Sequence, residues 1–238
     1  MIIDTRCPSG IPGFDNLCEG GFVRESMNCV LGGPGAGKTI FLLQFLYQGL
    51  KEYKEKGLYV SFEPDTLEIF KDANRLGWNF EKLDAKGEIK FVNISPETTV
   101  LDLKREVTNL ISKYDVKRIC FDPINLFTAA ENNNTKIRIN LVDIVNLLKR
   151  LNVTVLVSNE SDGTDAGEAG IVLNDIKTQY IKFLSDGLIE LYSSGLGGIT
   201  DRALRIVKMR RTNHVRGPVP MQIKDNGINI LSSKNNRA

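Results

Sequence analysis

The stretch "GGPGAGKT", residues 32–39, follows the apolar run "MNCVL" directly and opens a long amphipathic stretch. A strand that ends in closely spaced glycines and then Lys-Thr has few architectures open to it. The glycines let the backbone bend until successive N–H groups point at one spot, with a helix N-terminus behind them. That arrangement is a phosphate-binding loop, and Gly-x-x-x-x-Gly-Lys-Thr between a strand and a helix is its sequence form. Gly33, Pro34, Gly35, Ala36, Gly37, Lys38, Thr39 and Ile40 are therefore the candidate phosphate-binding set. In such a loop the lysine, here Lys38, reaches the β- and γ-phosphates, and the hydroxyl of Thr39 ligates Mg²⁺.

The rest of the chain has the rhythm that such a loop requires. A helical pattern runs from Lys38 to about Lys54, with Phe41, Leu42, Phe45 and Leu46 on one side. Strand-like runs follow at 57–62, 89–93, 116–122 and 153–158, with helical patterns at about 66–75, 99–113 and 136–150. Continuous Val/Ile-rich strands alternating with amphipathic helices predict an α/β core, a mostly parallel twisted sheet with helices on both faces. After residue 186 the rhythm changes: "DGLIELY", "RALRIVKMR", "PVPMQI" and "GINIL" are separated only by turns, which predicts a C-terminal antiparallel β extension. No linker or internal repeat interrupts the pattern. One domain over 1–231 is expected, with "SSKNNRA", 232–238, as a disordered tail.

Composition narrows the function classes. A net charge of +2 on 238 residues gives no overall field that calls for nucleic acid or an anionic membrane. No apolar run reaches bilayer length, and "MIIDTRCPSG" lacks the charged and apolar regions of a signal peptide. A cytoplasmic protein is expected. Cys7, Cys18, Cys29 and Cys120 form no Cys-x-x-Cys pair, and one histidine is too few for a typical zinc site. Cys29 and Cys120 lie in apolar runs, where free cysteine is a small hydrophobe.

Two acids sit where a phosphate loop needs them. "RICFDPI" ends an apolar strand on Asp122, at the sheet edge where ligands bind in open α/β folds, and is the candidate second Mg²⁺ residue. "YVSFEPD" places Glu63 at the end of the second strand, and the proline after it biases Glu63 towards extended backbone. A carboxylate there can orient the attacking water in hydrolysis. A third feature, "RIVKMRRTNHVRG" at 205–217, gathers Lys208, Arg210, Arg211 and the single histidine, His214, at the end of a strand. Read alone, it is a basic, solvated strand edge.

With these motifs the chain resembles the KaiC-type ATPases of the RecA superfamily. The resemblance covers nearly the whole chain: "SGIPGFDNLCEGGF", "GGPGAGKT", "VSFEPD", "LGWN", "FDP", "SDGLIEL", "KMRRTNH" and "IKDNGI". It implies a RecA-like P-loop fold and a homohexameric, Mg²⁺-dependent ATPase with ATP bound between subunits. Glu63 then matches the catalytic glutamate, although Pro64 stands where a second Glu is usual. Lys208 and Arg210 match fingers that reach the neighbour's γ-phosphate, with Met209, Thr212 and His214 lining the same pocket. Simple alternation along an extended strand would put Lys208, Arg210 and Thr212 on one side and Arg211 on the other. Lys224 and Asp225 match weaker contacts near the base and ribose. Two-domain members carry Ser and Thr phosphorylation sites shortly before the segment matching "SDGLIEL"; this sequence has Lys182 and Phe183 there, so no autophosphorylation cycle is expected.

Two other functions compete. A DNA recombinase of the same superfamily would need basic loops between the strands at 153–158 and 186–192. That stretch instead holds Glu160, Asp162, Asp165, Glu168 and Asp175, and acidic loops repel phosphate, so nucleic acid is not the expected partner. A nucleotide-binding switch with negligible turnover is the other, with the loop at 160–175 as the site for a protein partner that the sequence does not name.

Overall fold

The computed structural model describes residues 5–62, 66–95, 97–127, 133–160, 176–195 and 201–231. Strand β1 (Arg6–Cys7) pairs antiparallel with β2 (Phe22–Val23) in a small sheet beside the main one, with a 3₁₀ turn at Asp15–Leu17 between them. The core then follows as β3 (Met27–Gly32), α1 (Lys38–Tyr53), β4 (Lys56–Ser61), α2 (Thr66–Arg75), α3 (Phe80–Ala85), β5 (Ile89–Asn93) and α4 (Val100–Tyr114). It continues through β6 (Val116–Asp122), a short α5 (Ile124–Phe127), α6 (Asn134–Arg150), β7 (Thr154–Glu160) and α7 (Ile176–Leu184). The chain finishes on β8 (Gly187–Ser193), β9 (Arg202–Met209), β10 (Pro218–Lys224) and β11 (Gly227–Ile230).

Among the described residues the main sheet has nine strands, in the order β11-β10-β9-β8-β3-β7-β6-β4-β5. Pairings among β3, β4, β5, β6, β7 and β8 are all parallel. Alternation along each strand sends side chains to two apolar layers. Val30, Tyr59, Cys120 and Leu156 face α1, where Phe41, Leu42, Phe45 and Leu46 are all buried. Cys29, Leu31, Val60, Phe121 and Val157 face the other way, against Val107 of α4 and Leu141 and Leu148 of α6. Both strand cysteines are fully buried, as their apolar surroundings predict.

One part of the topology departs from the sequence reading. The antiparallel extension begins at β9: β8 lies parallel to β3 and antiparallel to β9. The reason is α7, a helix that the sequence reading did not resolve, which returns the chain to the start of the sheet before β8. The tail at 232–238 lies outside the described residues.

The pairing of β8 with β9 contains a bulge. Leu188 opposes Lys208 and Ile189 opposes Ile206, which leaves Val207 without a partner. One extra residue reverses the alternation beyond it. Leu204 and Ile206 are buried in the α1-side layer, and after the bulge it is Met209, not Lys208, that joins them. Lys208 is thereby turned to the α7 side.

Candidate nucleotide site

The loop between β3 and α1 is shaped for an anion. Gly35 and Gly37 take left-handed backbone, φ +72° and +102°, which side chains with a Cβ rarely adopt. A Cβ at Gly35 would meet nothing within 4 Å, so the loop opens on free space. Helix α1 has no side-chain cap at Gly37, and its first intrahelical bond runs from Phe41 N–H to Gly37 C=O at 3.0 Å. The amides of Lys38, Thr39 and Ile40 therefore lack helical partners. The Lys38 ammonium folds over its own loop, donating to the carbonyls of Gly32 at 2.9 Å and Gly33 at 3.1 Å. Burial lowers its pKa, while the charges of Glu160 and Asp122 raise it.

Asp122 ends β6 on the same sheet edge and is 6% exposed. It accepts from Thr39 Oγ1 at 2.8 Å, and from the hydroxyls of Tyr59 and Ser158. These groups meet because they share a face: Ser61 opposes Asp122, Tyr59 lies two residues before Ser61, and Ser158 follows Val157, the partner of Phe121, on the next strand. Burial first, and then the Asp122 carboxylate, push the Tyr59 hydroxyl well above its usual range, so it stays a donor. Thr39 and Asp122 present adjacent oxygens, which suits Mg²⁺; that ion takes one or two protein oxygens and fills its shell with phosphate and water. Removing Asp122 would leave two buried hydroxyls without an acceptor. Asp122→Ala is expected to lose roughly 2–5 kcal/mol of stability, read as a lower urea midpoint at unchanged slope; a wild-type midpoint would mean that the three hydroxyls find other acceptors.

Strand β4 stops at Ser61, level with Asp122, and the amide of Phe62 donates to the Asp122 carbonyl at 3.2 Å. The chain thus leaves the sheet at this edge, while Glu63 and Pro64 lie outside the described residues. Of two residues beside the loop, one was not singled out from sequence and the other was read only as part of an acidic loop. Arg202, the first residue of β9, donates to the Gly35 carbonyl at 2.5 Å and so braces the tip of the loop. Glu160, level with Gly32 at the end of β7, is exposed and its charge reaches Lys38. Of the acidic stretch read as a loop, Glu160 is described and Asp162, Asp165, Glu168 and Asp175 are not.

The basic segment does not join this site. Strand β9 runs antiparallel to β8, so Met209 lies level with Gly187, which lies level with Asn28 near the start of β3. Lys208 donates to the Lys182 carbonyl at 2.8 Å, and the Arg210 guanidinium lies 3.5 Å from Asp186. The expected alternation through Thr212 is not found. The strand ends at Met209 and Arg211 has φ +58°, so a turn replaces the extended chain. Met209 is 5% exposed with its side chain in the core, which leaves only its backbone free to line a pocket. Thr212 accepts from Arg6 at 2.7 Å, and the His214 ring nitrogen Nδ1 lies 3.1 Å from the Val215 carbonyl. Lys224 and Asp225 are exposed at the β10–β11 turn, apart from the basic cluster in sequence but on the same antiparallel extension.

Among the described residues, no helix is long and apolar enough to cross a membrane. A family model described as "ATPase: KaiC" matches residues 7–235. The circadian clock protein KaiC2 of Synechocystis is 32% identical over 236 residues, covering 95% of this chain and 40% of that protein. The circadian clock oscillator protein KaiC of Synechococcus elongatus is 30% identical over 230 residues, 93% of this chain and 43% of that protein. The chain spans about two-fifths of the length of these curated relatives. A crystal structure of a KaiC-like protein from the archaeon Pyrococcus horikoshii superposes with a TM-score of 0.83 at 30% identity, covering 97% of this chain and 100% of that one. Matched from end to end in this way, and with the phosphate loop and its acid in place, the chain belongs to the KaiC ATPase family and carries its RecA-like, nucleotide-binding fold.

Proposed function

We propose that this protein is a Mg²⁺-dependent ATPase that acts as a ring of identical subunits, a hexamer, with each ATP shared between two neighbours. The observation that carries this reading is the position of the basic cluster. From Asn28 to Gly32 is four residue steps of β3, about 13 Å at 3.3 Å per residue, so Lys208 and Arg210 lie at the sheet edge opposite their own phosphate loop. Neither side chain can span that distance. Cations needed for phosphoryl transfer must then serve the loop of another subunit, and a head-to-tail contact of this kind makes a ring where its rotation closes.

Within one site the geometry and the family resemblance support the following roles. The amides of residues 35–40 and Lys38 bind the phosphates, Thr39 and Asp122 hold the cation, and Arg202 keeps the loop tip in shape. Mg²⁺, when bound, offsets the charge on the phosphate oxygens. Glu63 orients the attacking water, and Lys208 and Arg210 of the adjacent subunit meet the charge that develops on the γ-phosphoryl group. His214 and Thr212 flank these fingers, and Lys224 and Asp225 lie near the base and ribose. Residues 1–231 act as a single ATPase domain in this reading. Lys182 and Phe183 offer no hydroxyl to phosphorylate, so nothing at these positions supports an autophosphorylation cycle.

Light scattering tests the assembly directly: a hexamer is expected with ATP. Fluorescence anisotropy with single- and double-stranded DNA is expected to show no ATP-dependent binding at physiological salt. A monomer whose specific activity is unchanged on dilution would overturn the shared site. Tight, ATP-dependent, salt-sensitive DNA binding would replace the ring with a recombinase filament.

A further inference from the structure

Four elements converge at the sheet edge that carries the basic cluster: the end of α6, the last turn of α7, the start of β8 and the end of β9. At their centre is Asp186, 7% exposed. Its Oδ2 accepts the Met27 amide at 3.1 Å. Lys149 lies 3.0 Å from Oδ1 and 2.9 Å from Oδ2, while Arg210 reaches Oδ1 only at 3.5 Å. The main chain adds two bonds, from Arg210 N–H to Asp186 C=O at 2.9 Å and from Asp186 N–H to Met27 C=O at 2.7 Å.

The two cations on Asp186 are held unequally. Lys149 grips both oxygens, whereas the Arg210 contact is long and its side chain remains 56% exposed. A bidentate Arg–carboxylate pair would hold the guanidinium in place; this one leaves it available. The charges around Asp186 also do not balance. Lys149, Lys208 and Arg210 surround one carboxylate, and the Lys208 ammonium feels the mismatch: burial lowers its pKa, the charge of Arg210 lowers it further, and Asp186 offsets only part. Such a cluster favours an incoming anion, and a phosphoryl oxygen is of the right chemistry.

We propose that Asp186 is the positioning residue of the finger that serves the adjacent subunit, and that Lys149 is its counter-charge. The Asp186 carboxylate, tied to the Met27 amide and to Lys149, holds in place the carbonyl of the same residue, which accepts the Arg210 amide, and so fixes the backbone from which Arg210 projects. Lys149 neutralises the buried carboxylate, so Arg210 can leave it for the phosphoryl group without exposing an unpaired charge. Without Lys149, Asp186 would hold Arg210 back. This inference rests on the shared-site reading above, and its test separates the two.

The test uses mixed rings. Acceptor subunits carry Arg210→Ala and keep a wild-type phosphate loop; donor subunits carry Lys38→Ala and keep their fingers. Asp186→Asn or Lys149→Met is added to the donor alone, and donor incorporation is measured with a fluorescent label. Because a displacement of about 1 Å can cost 10²-fold in rate, each addition is expected to lower kcat per mixed interface by about 10- to 100-fold. KM for ATP should not move, since the binding loop belongs to the acceptor. Lys149→Arg, which keeps the charge, should restore most of that loss. An unchanged kcat with Asp186→Asn donors overturns the positioning role, and an unchanged kcat with Lys149→Met donors overturns the counter-charge. Should Asp186→Asn donors fail to enter rings, Lys149→Met carries the test, since that side chain is 37% exposed and its loss leaves no cavity in the core. If donors with Lys38→Ala alone restore nothing, the shared site itself is wrong.

Discussion

Arg210→Ala is expected to lower ATP turnover by about 10³-fold or more and to leave ATP binding to the same subunit intact. The magnitude follows from the chemistry. A guanidinium placed against the transferred group stabilises charge that is present in the transition state and weaker in the ground state, so its loss falls on kcat. The binding loop lies at the other edge of the sheet and keeps all its amides. Lys38→Ala is expected to show the converse defect, with intact fingers and no grip on the phosphates. Mixed in equal amounts under conditions of subunit exchange, the two variants are expected to regain activity at about one quarter of their interfaces, the random fraction that pairs a good loop with a good finger in a head-to-tail ring. An ATPase titration of one variant into the other measures this. No recovery in rings shown to be mixed would reduce the basic segment to a charged edge.

Glu63→Gln is expected to bind ATP and to lose turnover by about 10²- to 10⁴-fold, the range for removing a positioned general base. The substitution keeps size and hydrogen bonding and removes only the charge. Equilibrium binding of a fluorescent ATP analogue beside phosphate release separates the two effects. Turnover at the wild-type rate would move the water-orienting role elsewhere. Glu160 would then be the first residue to test, because it ends β7 level with Gly32 and its charge already reaches Lys38.

The parallel core and its loop were legible because their signals are local. Each central strand is a short apolar run, and the glycine spacing of the loop reports backbone geometry directly. Asp122 was legible as a polar residue closing such a run. Its partners were not: Tyr59 reads as one more apolar strand residue, and Ser158 as the end of another. Only the registry of three strands brings their hydroxyls to one carboxylate. Arg202 and Lys149 were missed for a similar reason, since each is an ordinary surface cation until its distant partner, Gly35 or Asp186, is known. The side on which Lys208 emerges was likewise illegible, because alternation counted from Leu204 and Ile206 takes no account of an unpaired residue.

That unpaired residue, Val207, is the place where β9 can lose a residue and keep its sides. Leu188 opposes Lys208 and Ile189 opposes Ile206 across it. Deleting Val207 would leave both pairs standing and make the ladder regular, with Lys208 still on the α7 side and Met209 still in the layer beneath α1. A substitution that flattened the bulge at full length would do the opposite, carrying Lys208 into the apolar layer and turning Met209 out. Relatives of this fold are therefore free to lack one residue here, and a gap at Val207 in an alignment marks a straightened ladder rather than a turned basic cluster.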